Sequence, residues 1–393
     1  MKQKTSIGII GAGPAGLTLA LLLNRAGIDC MILENRSREY AESRVRAGLL
    51  EQNTVDLYNE LGVADRLNKE GLQHHGVYLS FDGVRQRVPF DQLTGGRTIT
   101  IYGQQEVIKD LIKANLEKGN SIEFETAATC IEGINTGTPK IHYQHNGEQY
   151  VLECDFVAAC DGYHGIGRKS LPQGSYNEFV KEYPFSWLGI LAHAKPSTDE
   201  LIYAYHERGF ALHSLRSEHV SRLYIQVAND DKIENWTDEQ IWDELEIRLS
   251  DNNGFTLNRV DIFEKAITPM RSFMIDNMQY GQLFLAGDAA HIVPPTGGKG
   301  LNLAVADVKW LAAAFGIWYR NGKDDLLNNY SYNCLRRIWR AQDFSNFMTY
   351  LFHKQAPHGS FDYYLQKSRF SYIGQSIAQA TTIAENYVGL KEI

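Results

Sequence analysis

The first forty residues leave this chain few folds to adopt. Thr5-Ser6-Ile7-Gly8-Ile9-Ile10 reads as a short buried strand and Gly11-Ala12-Gly13-Pro14-Ala15-Gly16 as a turn; Leu17 to Ala26 follows as helix, and Ile28-Asp29-Cys30-Met31-Ile32-Leu33 as a second strand ending at Glu34. In a G-x-G-x-x-G turn the glycines permit a sharp bend, close backbone approach to a pyrophosphate and tight helix–strand packing. The following helix presents unpaired N–H groups and a dipole that favours anions. An acidic residue roughly twenty positions on, here Glu34, suits a ribose hydroxyl. Strand, turn, helix and strand in this order predict a Rossmann-like α/β unit that binds a dinucleotide.

A second run, Ala286 to Asn302, has the same character. Leu283-Phe284-Leu285-Ala286 reads as a buried strand that carries Asp288 to its end, where a carboxylate can accept from sugar-like hydroxyls. Pro294-Pro295 cannot be helix interior, and Gly297-Gly298-Lys299-Gly300 lets backbone pass close to a flat ligand. Leu301-Asn302-Leu303 then opens another helix whose N-terminus favours negative charge.

The remaining pattern predicts a discontinuous, mixed α/β architecture. Helical periodicity marks Asn53–Leu67 and Gln105–Lys118; strands are expected at 122–128, 139–144 and 150–158, leading to Cys160-Asp161-Gly162. A strand-rich region from 180 to 268, with one helix at Asp238–Arg248, has no dinucleotide motif of its own. Residues 305–350 and 359–388 are mostly helical. At 393 residues, two or three domains are expected. We assign 1–71, 100–180 and 268–350 to the dinucleotide unit, 72–99 and 181–267 to a β-rich substrate unit, and 351–393 to a helical interface region.

Composition narrows the function. A net charge of -8 argues against a nucleic-acid-binding surface. Cys30, Cys130, Cys154, Cys160 and Cys334 are scattered without CxxC or His/Cys spacing, so no metal site is expected, and they read as buried thiols of a reducing cytoplasm. Gly11-Ala12-Gly13-Pro14 interrupts the apolar run a signal peptide needs, and Leu19–Leu23 is far shorter than a membrane span. A soluble cytoplasmic protein is expected.

One stretch offers an anion clamp. Phe210–Arg216 and Arg222–Val227 flank a five-residue loop; a hairpin centred on His219 would oppose Ser214 to Tyr224 and Arg216 to Arg222, on one face of the sheet. Leu223, Ile225 and Val227 would cover the other face. Two guanidiniums beside a hydroxyl and a phenol suit a carboxylate; a solvated sheet face is the other reading of the same pattern.

Gly11-x-Gly13-x-x-Gly16, Asp161-Gly162 followed by Arg168, and Gly287-Asp288 together resemble the three signatures of the single-component FAD-dependent aromatic hydroxylases. Arg44-Val45-Arg46-Ala47-Gly48, Tyr183-Pro184-Phe185-Ser186-Trp187-Leu188-Gly189, His291–Gly297 and Ile383–Leu390 resemble, more narrowly, the branch that hydroxylates 4-hydroxybenzoate. The resemblance spans essentially the whole chain. It implies FAD, NADPH or NADH, O2 and a small aromatic acid, with 3-hydroxylation to 3,4-dihydroxybenzoate through a flavin hydroperoxide, and a homodimer. It assigns Ser214, Arg216 and Tyr224 to the substrate carboxylate. Pro295 is assigned to the phenol, and Tyr203, Tyr387 and a solvent-side His74 to a proton relay. FAD is assigned Gly11, Gly13, Gly16, Glu34, Arg44, Arg46, Gln104, Asp161, Arg222, Asp288 and Gly298-Lys299-Gly300-Leu301-Asn302. The nicotinamide donor is assigned Arg36, Arg38, Tyr40, His164, Arg168 and Arg271; two arginines near Tyr40 favour NADPH by offering a 2'-phosphate site.

A relay suits the chemistry, because a phenol near pKa ~10 is mostly protonated at neutrality and ionising it activates the adjacent ring carbon. Tyr205, His213 and Gly298 depart from the family pattern, the first two with possible effects on pocket size and Gly298 on the firmness of the flavin loop. A hydroxylase of another hydroxybenzoate, a non-hydroxylating flavin reductase or oxidase, and a flavin-binding sensor are the alternative functions.

Overall fold

The computed structural model describes residues 2–46 and 48–390; Ala47 and the last three residues of the C-terminal region lie outside the described residues. Strands Ile7–Ile10, Cys30–Leu33, Ser121–Glu123, Phe156–Ala159 and Leu283–Leu285 run parallel, in the order 283–285, 156–159, 7–10, 30–33, 121–123. Gln279–Tyr280 adds an antiparallel edge. A parallel sheet must be covered on both faces, and Ile7, Ile9, Ile32, Val157, Leu283 and Leu285 are all fully buried. Because the strands are parallel, their C-terminal ends share one edge. That edge gathers the Gly11 turn, Glu34, Asp161 and Asp288, residues that are far apart in sequence.

The second sheet has eight strands, in the order 291–292, 262–275, 178–192, 220–227, 211–217, 202–205, 76–81, 84–89. It is antiparallel except for the pairing of Ile202–Tyr205 with Gly76–Phe81. Alternation in Val220–Val227 sends Ser221, Leu223, Ile225 and Val227 to the buried side. There, Leu223, Ile225 and Val227 pack with Ile241, Trp242, Leu245 and Leu249 of the Asp238–Leu249 helix. That helix starts at a capping box formed by Thr237 and Gln240. Arg222, Tyr224 and Gln226 are left on the opposite face.

Three expected elements are broken. The strand foreseen over 150–158 divides into Glu148–Glu153 and Phe156–Ala159, which belong to different sheets. The helix foreseen over 53–67 is two helices, Gln52–Glu60 and Asp65–Glu70, separated where Gly62 takes φ +70°. The strand foreseen over 122–128 divides into Ser121–Glu123 and Thr126–Glu132 because Glu125 turns left-handed at φ +53°. Nothing in the apolar pattern marked these breaks.

Helices tie the sheets together. Gly300–Asn321 packs along Pro14–Arg25; it is long and apolar enough to cross a membrane, but 67% of its apolar window is buried, as in a core helix. Tyr330–Phe352 places Cys334, Ile338 and Ala341 in the core around the parallel sheet, then Phe344, Met348, Leu351 and Phe352 in the core around Tyr203 and Tyr387. Phe361–Gln375 and Ile377–Val388 complete that second core through Tyr363, Phe370, Ile373, Ile383 and Tyr387.

Three buried histidines, His74, His213 and His353, form no ion pair among the described residues. Burial pulls His74 down to about 4, His213 to about 4 and His353 to about 3. An unfolded histidine titrates near ~6.5, so between pH 6.5 and 4 the unfolded chain binds protons that the folded chain refuses. Stability is therefore full above pH ~6.5 and falls as pH drops, each histidine adding up to about 1.4 kcal/mol per pH unit. Thermal denaturation between pH 7 and 4 should show this fall, and a shallower one in His213→Gln; equal slopes would remove His213 from the account.

Candidate active site

At the shared edge, Gly11 takes φ +101° and its N–H donates to the Leu33 carbonyl at 2.8 Å. A Cβ at Gly11 would lie 2.5 Å from the Cys160 carbonyl oxygen, and one at Gly16 would lie 2.0 Å from that of Gly11. Gly13, by contrast, faces open space. Glu34 reaches back into this turn, accepting from Ala12 N–H at 2.7 Å and Arg36 N–H at 2.9 Å. A carboxylate retains lone pairs for a further donor. Asp288 stands exposed on the turn Gly287–Ala289, and its charge opposes the lowering of Arg46 caused by burial and by Arg44. Gln104 opens the helix Gln104–Glu117.

Asp161 points inward. It accepts from Gly167 N–H at 2.8 Å, and burial raises its carboxyl. Arg168 is likewise committed, donating to the carbonyls of Ala289 at 3.0 Å and Tyr163 at 2.9 Å. It joins the Asp161 and Asp288 turns. Arg168 and Arg271 both lie over the Tyr163 ring, with His164 edge-on to it. Arg36 and Arg44 both lie over Tyr40, whereas Arg38 pairs with Glu42 at 2.6 Å.

The loop before Gly300–Asn321 meets the second core. A turn closes from Gly298 N–H to the Pro295 carbonyl at 3.0 Å, with Gly297 at φ +89°. Gly297 N–H donates to the Tyr203 hydroxyl at 3.2 Å, and the Tyr387 hydroxyl lies 2.6 Å from it. Both phenols are buried, which raises Tyr203 to about 12 and Tyr387 well above the ordinary phenol value. Gly297 N–H can only donate, so the Tyr203 oxygen has one lone pair and one hydrogen left. When Tyr387 donates to it, the Tyr203 hydrogen is free for a third oxygen; when the bond reverses, Tyr203 can accept from that oxygen. Such a pair can pass a proton in either direction.

His74 differs from its expected solvent-side placement. It is 1% exposed, on the small strand Leu72–His74, and neither ring nitrogen has a hydrogen-bond partner. Withdrawal from water, not a charge, sets its low pKa.

The clamp hairpin forms with a different register from the one foreseen. Its turn has two residues, Glu218 and His219, and a bulge at Arg216 restores the pleat, so Ser214 pairs with Arg222 and Leu212 with Tyr224. The two-residue shift preserves side-chain parity and keeps Ser214, Arg222 and Tyr224 on one face. It also aligns Tyr203, Leu212 and Tyr224 in one row, placing Tyr203 and Tyr224 two strand spacings apart, about 10 Å. Arg216 is pulled down to about 10 by desolvation, with Tyr224 opposing and Arg222 reinforcing the shift. Arg216 Nε and Arg222 Nε and Nη1 are buried without partners, and among the described residues no carboxylate pairs with either guanidinium. Buried, unneutralised positive charge is costly and calls for an anion.

The departures from the family pattern lie elsewhere than foreseen. His213 faces the opposite side of the sheet from Ser214 and accepts from Ser197 N–H at 3.1 Å. Tyr205 stacks on Phe81 at 4.1 Å, beside Tyr363. Gly298 takes φ +63°, and a Cβ there would lie 2.9 Å from that of Leu49, so the loop as folded favours glycine at this position.

Matching by a family model described as FAD binding domain covers residues 4–345. A p-hydroxybenzoate hydroxylase of Acinetobacter baylyi is 48% identical over 99% of this chain and 96% of its own length. The chain belongs to the FAD-dependent aromatic hydroxylases. A flavin-dependent monooxygenase of Mycobacteroides abscessus is 24% identical over 83% of this chain and 70% of its own. The crystal structure of p-nitrophenol 4-monooxygenase PnpA from Pseudomonas putida shares the fold, with TM-score 0.84 and 17% identity over the whole of both chains.

This member of the family is an FAD-dependent monooxygenase that draws on NAD(P)H. Its own residues fit the cofactor: the Gly13 face is open, Asp288 is exposed at the same edge, and the first bond of Gly300–Asn321 runs from Leu303 N–H to the Lys299 carbonyl. The N–H groups of Gly300, Leu301 and Asn302 thus have no partner within the helix. The side chains there are engaged elsewhere. Asn302 Oδ1 accepts from Glu51 N–H and Thr54 Oγ1, both at 2.8 Å, while its Nδ2 donates to Leu49 and Gly298 carbonyls. Lys299 Nζ pairs with Glu51 at 2.9 Å and donates to the carbonyls of Asn386 and Tyr387. Glu51 also receives Arg337 at 2.9 Å. Sequence reading missed Glu51, because a lone acidic residue after Leu49-Leu50 carries no signal of burial.

Gly298→Ala should cost about 1–2 kcal/mol, the usual penalty for a left-handed non-glycine. Thermal denaturation of FAD-loaded enzyme would measure it. An unchanged midpoint would show that Leu49 yields freely.

Proposed function

We propose that this enzyme hydroxylates 4-hydroxybenzoate at the 3-position to give 3,4-dihydroxybenzoate, with NADPH as the donor, NADH as the alternative, and O2 as co-substrate. The observation that carries this reading is the pocket's asymmetry. Unneutralised Arg216 and Arg222, with Ser214 and Tyr224, lie at one end, and the Tyr203–Tyr387 pair lies two strand spacings away. An aromatic acid with a phenol opposite its carboxylate matches both ends. The name of the Acinetobacter baylyi relative supports the same substrate.

When bound, FAD supplies the redox chemistry that takes electrons from the nicotinamide and delivers oxygen to the ring. Arg216, Ser214 and Tyr224 hold the carboxylate, fixing which ring carbon is presented. Tyr203 exchanges a proton with the substrate phenol and Tyr387 exchanges with Tyr203, so the phenolate forms where solvent is excluded. The Pro295 carbonyl, with one lone pair used by Gly298 N–H, offers the other to the phenol. His74, enclosed and with neither ring nitrogen hydrogen-bonded, shares no hydrogen bond with either tyrosine, so the relay we propose consists of the Tyr203–Tyr387 pair. Arg222 lies toward the cofactor, together with Arg44, Arg46, Asp161, Asp288, Gln104 and the 298–302 backbone. Arg36, Tyr40, His164 and Arg271 face the nicotinamide donor, with Arg168 bracing that surface.

The residue assignments imply the division proposed from sequence: a discontinuous FAD unit, a β-rich substrate unit over 72–99 and 181–267, and a C-terminal interface region. Phe361 and Ile377 are each 79% exposed, and Tyr364 and Tyr372 are more than half exposed. Large exposed apolar side chains on consecutive helices suit a self-complementary contact, so we propose a homodimer, working in the cytoplasm.

With purified enzyme, 4-hydroxybenzoate should accelerate NADPH oxidation and yield 3,4-dihydroxybenzoate by chromatography. Peroxide alone from a panel of hydroxybenzoates would sink the hydroxylase reading. Arg216→Gln should weaken 4-hydroxybenzoate binding about 100-fold with FAD content retained, read by flavin absorbance titration. Phe361→Asp with Ile377→Asp should give a monomer in sedimentation; an unchanged dimer would move the interface elsewhere.

A further inference from the structure

Helix Tyr330–Phe352 carries a buried polar stripe that the chemistry above does not use. Gln342, Ser345, Thr349 and His353 are spaced three or four residues apart, so they share one face, and all four are buried. A helix face turned into a core is ordinarily apolar. The Ser345 hydroxyl and the Gln342 amide oxygen are buried without partners, whereas the Gln342 amide nitrogen, Thr349 and His353 find specific ones. Gln342 Nε2 donates to the Ile292 carbonyl at 2.8 Å, at the start of the active-site loop. Thr349 Oγ1 hydrogen bonds to the Thr296 hydroxyl at 2.9 Å and donates to the Ser345 carbonyl at 2.7 Å. His353 Nδ1 lies 2.8 Å from the Thr349 carbonyl, which can only accept, and its Nε2 lies 2.6 Å from the Trp187 indole N–H, which can only donate. The imidazole is therefore neutral and held in one tautomer.

Each partner stands beside the pocket. Thr296 immediately precedes Gly297, whose N–H meets Tyr203. Trp187 packs on Tyr224 at 4.6 Å and on Phe210 at 5.2 Å. We propose that Thr349 and His353 are positioning residues: one helical turn apart, they hold the loop that carries the tyrosine relay and the indole wall behind the carboxylate clamp in a single register. The proposal rests on the reading of the pocket as a hydroxybenzoate site. It explains why a core helix keeps a threonine and a histidine where leucine would pack: two rigid hydrogen bonds fix distances that apolar contacts leave adjustable.

The test uses FAD-loaded enzyme and paired variants. Thr349→Val is isosteric but lacks the hydroxyl; Thr349→Ser keeps it. Val should speed amide hydrogen exchange at Gly297 and Gly298 about tenfold and lower the yield of hydroxylated product per NADPH, while Ser behaves as wild type. His353→Phe should raise KM for 4-hydroxybenzoate about tenfold with little change in kcat, and His353→Gln, which can both accept from Trp187 and donate to Thr349, should restore it. Equal exchange in Val and Ser, or equal KM in Phe and Gln, would overturn the proposal. Should His353→Phe fail to fold, the Thr349 pair decides alone. Exchange needs no aromatic substrate, so a wild-type enzyme inactive on every hydroxybenzoate would remove the functional reading while the positioning role is still decided.

Discussion

A single buried ammonium holds this active site together. Lys299 draws Glu51, the Asn386 and Tyr387 carbonyls and, through Glu51, Arg337 to one point. Those groups come from the short strand Leu49–Glu51, the C-terminal helix Ile377–Val388 and the long helix 330–352. Burial lowers Lys299 while Glu51 opposes that shift, and losing either partner would leave an unpaired charge in the interior, a loss of roughly 3–5 kcal/mol. The pairing dictates that Tyr387 ends beside Tyr203 and that the loop from Thr296 to Asn302 passes between them and the cofactor edge.

The same interior contains a charge arrangement left open. The Lys299 ammonium has three acceptors, the Glu51 carboxylate and the Asn386 and Tyr387 carbonyls, so its own donors are met without ligand. Around Arg216 and Arg222 donors are unmet, so the free protein bears a desolvation cost that an aromatic carboxylate would offset. Geometry at the far end complements this: the Tyr203 oxygen, already meeting Gly297 N–H and the Tyr387 hydroxyl, has a single vacancy whose hydrogen-bond sense can reverse. In the function we propose, binding and proton movement fall to separate ends of one row of side chains across three strands.

Local pattern made much of this legible. Gly11, Gly13, Gly16 and Glu34 announced a strand-turn-helix unit because sterics and orphan N–H groups act within a few residues, and Asp288 followed from an apolar strand ending in a polar turn. The face shared by Ser214, Arg222 and Tyr224 was readable from alternation, since period two survives a two-residue slip. Their partners were not: whether the hairpin closes with five loop residues or with two and a bulge depends on how Arg216 is accommodated, which is a matter of sheet twist and neighbouring strands.

The sequence by itself determined the parallel cofactor sheet, the family and the residue types offered to a phenol and a carboxylate, all of which depend on short-range sterics, hydrogen-bonding chemistry and periodicity. Tertiary structure alone decided that Lys299 turns into a buried ion pair with Glu51, that Asn302 is consumed by backbone contacts, that His74 is enclosed, and that Thr349 and His353 face the pocket walls. The reason is physical: burial and pairing of a polar group are set by what arrives from elsewhere in the chain, here across more than 240 positions between Glu51 and Lys299, and no local pattern encodes that arrival.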